Sequence, residues 1–205
     1  PELTAHHATA DDTNEEGDLI MDASSLGDER LRLLLLCCHP ALDRDTQVAL
    51  TLRLAGGLTA AEVAAAYLLP EATLTQRVVR AKRKIREAGM PLSIPANLDE
   101  RVDALLRVLY LIFNEGYVTR VDLITEAIRL TRQVVDELPA SAEAEGLLAL
   151  QLHHHARSAT RIDGLGELVL LEHQDRTGWN LDVITEANAW LRSAMTRMSP
   201  GPYQV

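Results

Sequence analysis

The chain has little of what most fold classes need. Only seven of its 205 residues are aromatic, Phe113, Trp179, Trp190 and four Tyr. The interior must therefore be built from Leu, Val, Ile and Ala, a set that suits packed helices better than sheets, and the expected fold is all-α. Cysteine is as scarce: Cys37 and Cys38 are the two present, and adjacent thiols cannot staple a loop as in a secreted scaffold. A reducing, cytoplasmic setting is expected. No apolar run approaches the ~20 residues of a membrane span, the longest candidate being Leu33 to Cys38, and no secretory leader is visible. No membrane partner is expected. Net positive charge is lacking too, with 20 Lys and Arg against 30 Asp and Glu, a formal charge of −10. That excludes coating of nucleic acid by bulk electrostatics, which needs a broadly basic surface, but it leaves room for a local basic patch.

What is present is ordinary for a soluble globular chain, 47% apolar and 24% charged, and long enough for one or two domains of ~100–200 residues. Residues 1–28 carry eight acidic side chains and almost nothing apolar before Leu19 to Met21. Such a segment buries too little to offset its chain entropy and reads as an acidic linker or tail. From Glu29 the pattern turns helical, and His39-Pro40 ends it, because a residue before proline is pushed out of the α region. A second helix over 43–55 places Val48, Leu52 and Ala55 on one face and ends at Gly56-Gly57. A third runs from Ala60 to about Tyr67 and a fourth from Pro70-Glu71 to about Glu87. Residues 91–97, with two prolines, mark a linker. Beyond it helices are expected over about 99–114, 120–138 and 141–158, broken at Asn114-Glu-Gly116 and at Leu138-Pro139-Ala-Ser141. A loop with Asp163-Gly164 and the apolar run Leu168 to Leu171 follows, and Asn180 caps a last helix reaching about Met198. Short connections favour antiparallel neighbours. The chain thus divides into the linker, a four-helix domain at 29–90 and a helical region at 98–205.

The sharpest signal lies in the third and fourth helices. Thr59 caps the third and Glu62 reaches back to it in a T-x-x-E capping box, with Val63 on the apolar side. After a short turn, Leu74, Val78, Ala81 and Ile85 recur at +4, +3 and +4, one inward stripe of the fourth helix. This is a helix-turn-helix supported by Thr59, Glu62, Val63, Leu74, Val78 and Ile85. Between residues 71 and 87 six basic side chains stand against two acidic ones, so positive charge is concentrated here in a chain that is negative elsewhere. An α-helix fits the DNA major groove, where its early residues reach base edges and flanking cations meet phosphates. Thr73, Gln76, Arg77 and Arg80 are the candidate base readers, Gln suiting adenine and Arg guanine; Lys82, Arg83, Lys84 and Arg86 are the candidate phosphate contacts. Charge alone would also fit a solvated helix face, but the box, turn and stripe together favour a reader.

Other tempting residues have plainer readings. His153, His154 and His155 point about 100° apart on a helix and cannot share one ion. Cys37 and Cys38 end a Leu-rich helix, as small buried hydrophobes do. Asn114-Glu-Gly116, Glu172 and Asp175-Arg176 suit caps and internal pairs, the last pinning the loop beside Trp179. No phosphate loop or Ser-His-Asp context occurs. Neither an enzyme nor a cofactor is expected.

Taken together, Leu58-Thr-Ala-Ala-Glu-Val-Ala-Ala-Ala-Tyr67, Leu69-Pro-Glu-Ala-Thr-Leu-Thr-Gln-Arg77 and Arg80-Ala-Lys-Arg-Lys-Ile-Arg86 resemble region 4 of the extracytoplasmic-function sigma factors of bacterial RNA polymerase. Cys37-Cys-His-Pro-Ala-Leu42, Tyr110-Leu-Ile-Phe-Asn-Glu-Gly-Tyr117, Glu126-Ala-Ile-Arg-Leu130 and Glu167-Leu-Val-Leu-Leu171 with Gln174-Asp-Arg176 are similar to the subgroup with a C-terminal tetratricopeptide-like extension. The resemblance implies that the fourth helix reads the −35 promoter element, that the first two helices help hold the β-subunit flap of core polymerase, and that the acidic linker threads the polymerase. It further implies that region 2 precedes Pro1 and more helices follow Val205, and that residues 98–205 act as a regulator within the chain or dock a protein regulator. Two other classes fit the residues: an autonomous helix-turn-helix regulator, and a helical protein-interaction module.

Overall fold

A computed structural model describes residues 27–87, Gly89, 98–118 and 121–204. Nearly all of the expected acidic linker, and the linker at 91–97, lie outside the described residues. Among the described residues there are eight α-helices and no strand, only an isolated antiparallel bridge between Ile162 and Leu168. The all-α expectation holds.

Helix α1 spans Gly27–Cys37 and α2 spans Arg44–Leu50. Asp43 caps α2 by accepting from the Thr46 N–H at 3.0 Å. The expected helix over 43–55 changes character partway: Thr51–Ala55 widen into a π-helical turn, with the Gly56 N–H donating to the Thr51 carbonyl at 2.9 Å. Helices α3 (Ala60–Ala66) and α4 (Glu71–Glu87) follow. The second half holds α5 (Leu98–Val118), α6 (Val121–Glu137), α7 (Ala142–Ala156) and α8 (Leu181–Thr196).

One expected boundary is corrected. The break at Asn114-Glu-Gly116 does not occur, because α5 runs through it to Val118. Gly116 has a packing reason instead: a Cβ there would lie 2.5 Å from the Ile124 backbone nitrogen and 2.8 Å from the Leu123 Cβ. Only glycine lets α6 come that close. Gly146, inside α7, has a similar reason, since its missing Cβ makes room for Tyr203 and Gln204. Residues 199–204 fold back there, the Tyr203 N–H and the Gln204 amide both donating to Glu143 while the Tyr203 ring sits 5.8 Å from Tyr110.

A single buried cluster crosses from the first half to the second. Leu31, Leu34, Leu35 and Cys38 of the α1 region and Leu52, Val63 and Leu74 share it with Leu105, Leu109, Ile112, Leu123, Leu130, Leu147 and Leu148. Two arginines bridge the halves at the backbone. Buried Arg101 donates from Nη2 to the Leu35 carbonyl at 2.6 Å, and Arg129 donates to the Ala55 carbonyl at 3.0 Å. Each satisfies a carbonyl at the end of a helix or turn, where backbone acceptors run out of intrahelical partners.

Candidate nucleic-acid interface

The candidate interface is built from α3, its turn and α4. The Glu62 N–H donates to Thr59 Oγ1 at 3.2 Å, and Glu62 Oε2 accepts from the Thr59 N–H at 2.7 Å, so both halves of the capping box are formed. The turn is compact: the Leu69 N–H donates to the Ala64 carbonyl at 2.9 Å, and exposed Leu68 takes a left-handed φ of 52°. That conformation is rare for a branched side chain, and a short connection between two packed helices imposes it. Val63 and Leu74 anchor the pair in the main core, while Val78, Ala81 and Ile85 pack with Leu33, Cys37, Leu42 and Leu50 in a second cluster.

Helical geometry at about 100° per residue sorts the polar side chains of α4. Thr73, Gln76, Arg77, Arg80 and Lys84 share one side, Arg83 lies next to them, and Lys82 and Arg86 belong to the opposite flank. Thr73, Gln76, Arg80, Arg83, Lys84 and Arg86 are exposed, and Arg77 and Lys82 are half-buried. The four expected base readers are therefore brought together. They line a groove of about 310 Å³ whose other wall is Leu42, Asp43 and Thr46. Within it, Arg80 donates to Gln76 Oε1 at 3.3 Å, which aligns the two groups best suited to bidentate base contact.

Two of the cations are drawn back. Arg77 Nη1 lies 3.5 Å from Asp45 Oδ2, its side chain 30% exposed. Lys84 donates to the Ala41 carbonyl across the groove. Arg83 forms an exposed pair with Glu87 at 3.5 Å. Asp43, Asp45 and Thr46 went unnoticed in the sequence as neighbours of the reader; the one signal was Asp43 standing three residues before Thr46, the spacing of a cap. Partial burial pushes the Asp43 carboxyl up. Hydrogen bonds from the Thr46 hydroxyl and N–H, its own backbone and the Arg77 charge outweigh this and hold it below the usual range. The groove therefore keeps an anionic wall opposite its cationic one.

The remaining candidates fall outside this groove. Burial pushes the Cys38 thiol up to about 12, and Cys37 is raised as well, so neither is a thiolate nucleophile near neutrality. Burial, with the charges of Arg157 and Arg161 and neighbouring His153, lowers His154 to about 4, and its Nδ1 lies 2.9 Å from the Arg157 guanidinium. Among the described residues no group of three or more His, Cys, Asp or Glu is placed to hold a metal ion. The Arg176 guanidinium lies 5.5 Å over the Trp179 ring and Asp175 caps the turn at Thr177. The run Leu168 to Leu171, apolar in sequence, is largely on the surface, with Leu168 68% exposed. No helix among the described residues is long and apolar enough to cross a membrane.

A capped helix, a tight turn and a second helix with a buried stripe and an open cationic side define the class: a helix-turn-helix domain joined to a helical region. Residues 32–85 match the family described as Sigma-70, region 4. Residues 101–195 match a family of unknown function (DUF6596). An uncharacterized protein of Rhizobium meliloti (strain 1021) is 42% identical over 204 residues, an alignment covering 95% of this chain and 48% of the relative. The chain thus spans about half the length of the curated relative it matches. No solved structure is significantly similar to it.

Proposed function

We propose that the chain is part of an extracytoplasmic-function sigma factor of the subgroup with a helical C-terminal extension, and that α4 reads the −35 promoter element. The observation that carries this is the exposed side of α4 on which Thr73, Gln76, Arg77 and Arg80 converge, held by a complete capping box in a segment that matches region 4. Thr73, Gln76 and Arg80 reach bases first; Arg77 joins them on leaving Asp45. Arg83, Lys82, Lys84 and Arg86 flank the reading strip and meet phosphates on either side. Core RNA polymerase, through its β-subunit flap, supplies the rest of the affinity, which suits a domain whose own chain is acidic. Residues 98–205 support or regulate the reader.

The test is to enrich duplexes from a randomised pool with the unsubstituted chain, then measure Arg77→Ala and Arg80→Ala on them. Loss of affinity with a changed base preference is expected; unchanged affinity and preference would sink the base-reading assignment. Co-purification with core polymerase in one copy, on an asymmetric site, separates a sigma factor from a symmetric dimeric regulator.

A further inference from the structure

Among the described residues the cationic side of α4 is largely open to solvent: Thr73, Gln76, Arg80, Arg83 and Lys84 are exposed. The same chain carries its strongest opposite charge just upstream. Residues 1–26 contain Glu2, Asp11, Asp12, Glu15, Glu16, Asp18 and Asp22 and no Lys or Arg, a formal −7. Helix α4, residues 71–87, carries six basic against two acidic side chains, a formal +4.

The fold puts these charges within reach. Leu33 of α1 packs in the cluster formed around Ala81, beside Val78 and Ile85 of α4. Gly27, the first residue of α1, is six residues before Leu33, about 9 Å along the helix axis. The acidic run from Asp22 back to Asp11 precedes Gly27 by five to sixteen residues, which sets upper limits of about 17 and 55 Å on their reach. Helix α4 is 17 residues long, about 25 Å. The upper end of that span exceeds the length of α4, so the run is long enough to extend along its cationic side. Tethering at this range gives effective concentrations on the order of millimolar, so even a weak contact is populated.

We propose that the acidic segment, residues 11–22, docks on the cationic side of α4 and competes with nucleic acid for it. This rests on the reading of α4 as the DNA-contacting surface. The device suppresses binding to arbitrary DNA, where phosphate charge is the main attraction, and yields to a site that adds base contacts or to a polymerase that holds the segment elsewhere. Affinity falls by the fraction of chains in which the face is free.

The experiment compares the unsubstituted chain with one carrying Asp11→Asn, Asp12→Asn, Glu15→Gln, Glu16→Gln, Asp18→Asn and Asp22→Asn, which leave α1 to α8 unsubstituted. Binding to a random-sequence duplex is followed by fluorescence anisotropy, and the α4 amides from Gln76 to Lys84 by NMR without DNA. Neutralisation should move those amides and tighten binding about tenfold at roughly 50 mM salt, the gain shrinking below about twofold near 0.5 M. Tighter binding with unmoved amides would mean long-range repulsion without docking and overturns the proposal, as does no change in either. Amides that move while neither chain binds any duplex would support the docking and overturn the DNA reading instead.

Discussion

Helices α4 and α7 are similar in length and opposite in character. Of the 17 residues of α4 only Leu74 and Ala81 are fully buried, whereas ten of the 15 in α7 are. Helix α7 is wrapped by α5, α6 and α8, so its side chains set stability. Helix α4 commits one stripe to the core and leaves most of its other side chains at the surface. The most damaging substitution to the fold should accordingly be Leu148→Ala, at a position 0% exposed in α7, with a loss of about 2–5 kcal/mol in denaturant unfolding. Arg80→Ala should leave the melting curve within about 0.5 kcal/mol of the parent. Its effect belongs to binding, where losing a bidentate base contact costs about 1–3 kcal/mol at one base position. Should Arg80→Ala unfold the chain as Leu148→Ala does, the contrast between the two helices collapses.

Thr59→Ala sharpens the comparison at the seam between core and reader. Removing the hydroxyl that accepts the Glu62 N–H should cost about 1 kcal/mol, measured by chemical denaturation, with a weaker DNA affinity only as far as the turn loosens. This capping box was legible in the sequence because it is local: two residues three apart, chemically matched. The stripe of α4 was legible for the same reason, since periodicity needs no tertiary knowledge. What escaped was non-local. Gly116 looked like a helix stop, and only the approach of α6 within 2.5 Å of its absent Cβ explains why α5 continues through it. Arg101 and Arg129 each close onto a carbonyl more than 60 residues away in the chain, a contact that no local pattern signals. In the candidate site, the shared side of Thr73, Gln76, Arg77 and Arg80 was legible from helical spacing, while the opposing wall of Leu42, Asp43 and Thr46 comes from the start of α2, which the sequence does not tie to α4.

The smallest effect tests whether the second half is held by charge as well as by packing. Arg132 of α6 donates to Glu186 of α8 through Nη1 and Nη2, and the Trp190 indole N–H also donates to Glu186 at 3.2 Å. The hydrogen bond from Arg132 is the main cause that lowers the Glu186 carboxyl, against partial burial, with Trp190 and the Arg132 charge adding to it. A carboxyl depressed in the folded chain adds stability that is present above its unfolded pKa and is lost as pH falls through its folded one. The two side chains are 40% and 37% exposed, so solvent screening keeps the contribution at or below about 1 kcal/mol. Arg132→Met should therefore lose at most that much at pH 7, and the gap between variant and parent should close below the ordinary carboxylate range, in urea titrations run across pH 2–7. A gap that persists undiminished at the acid end would assign the Arg132 effect to packing of its side-chain stem and leave α8 held to α6 without an electrostatic share.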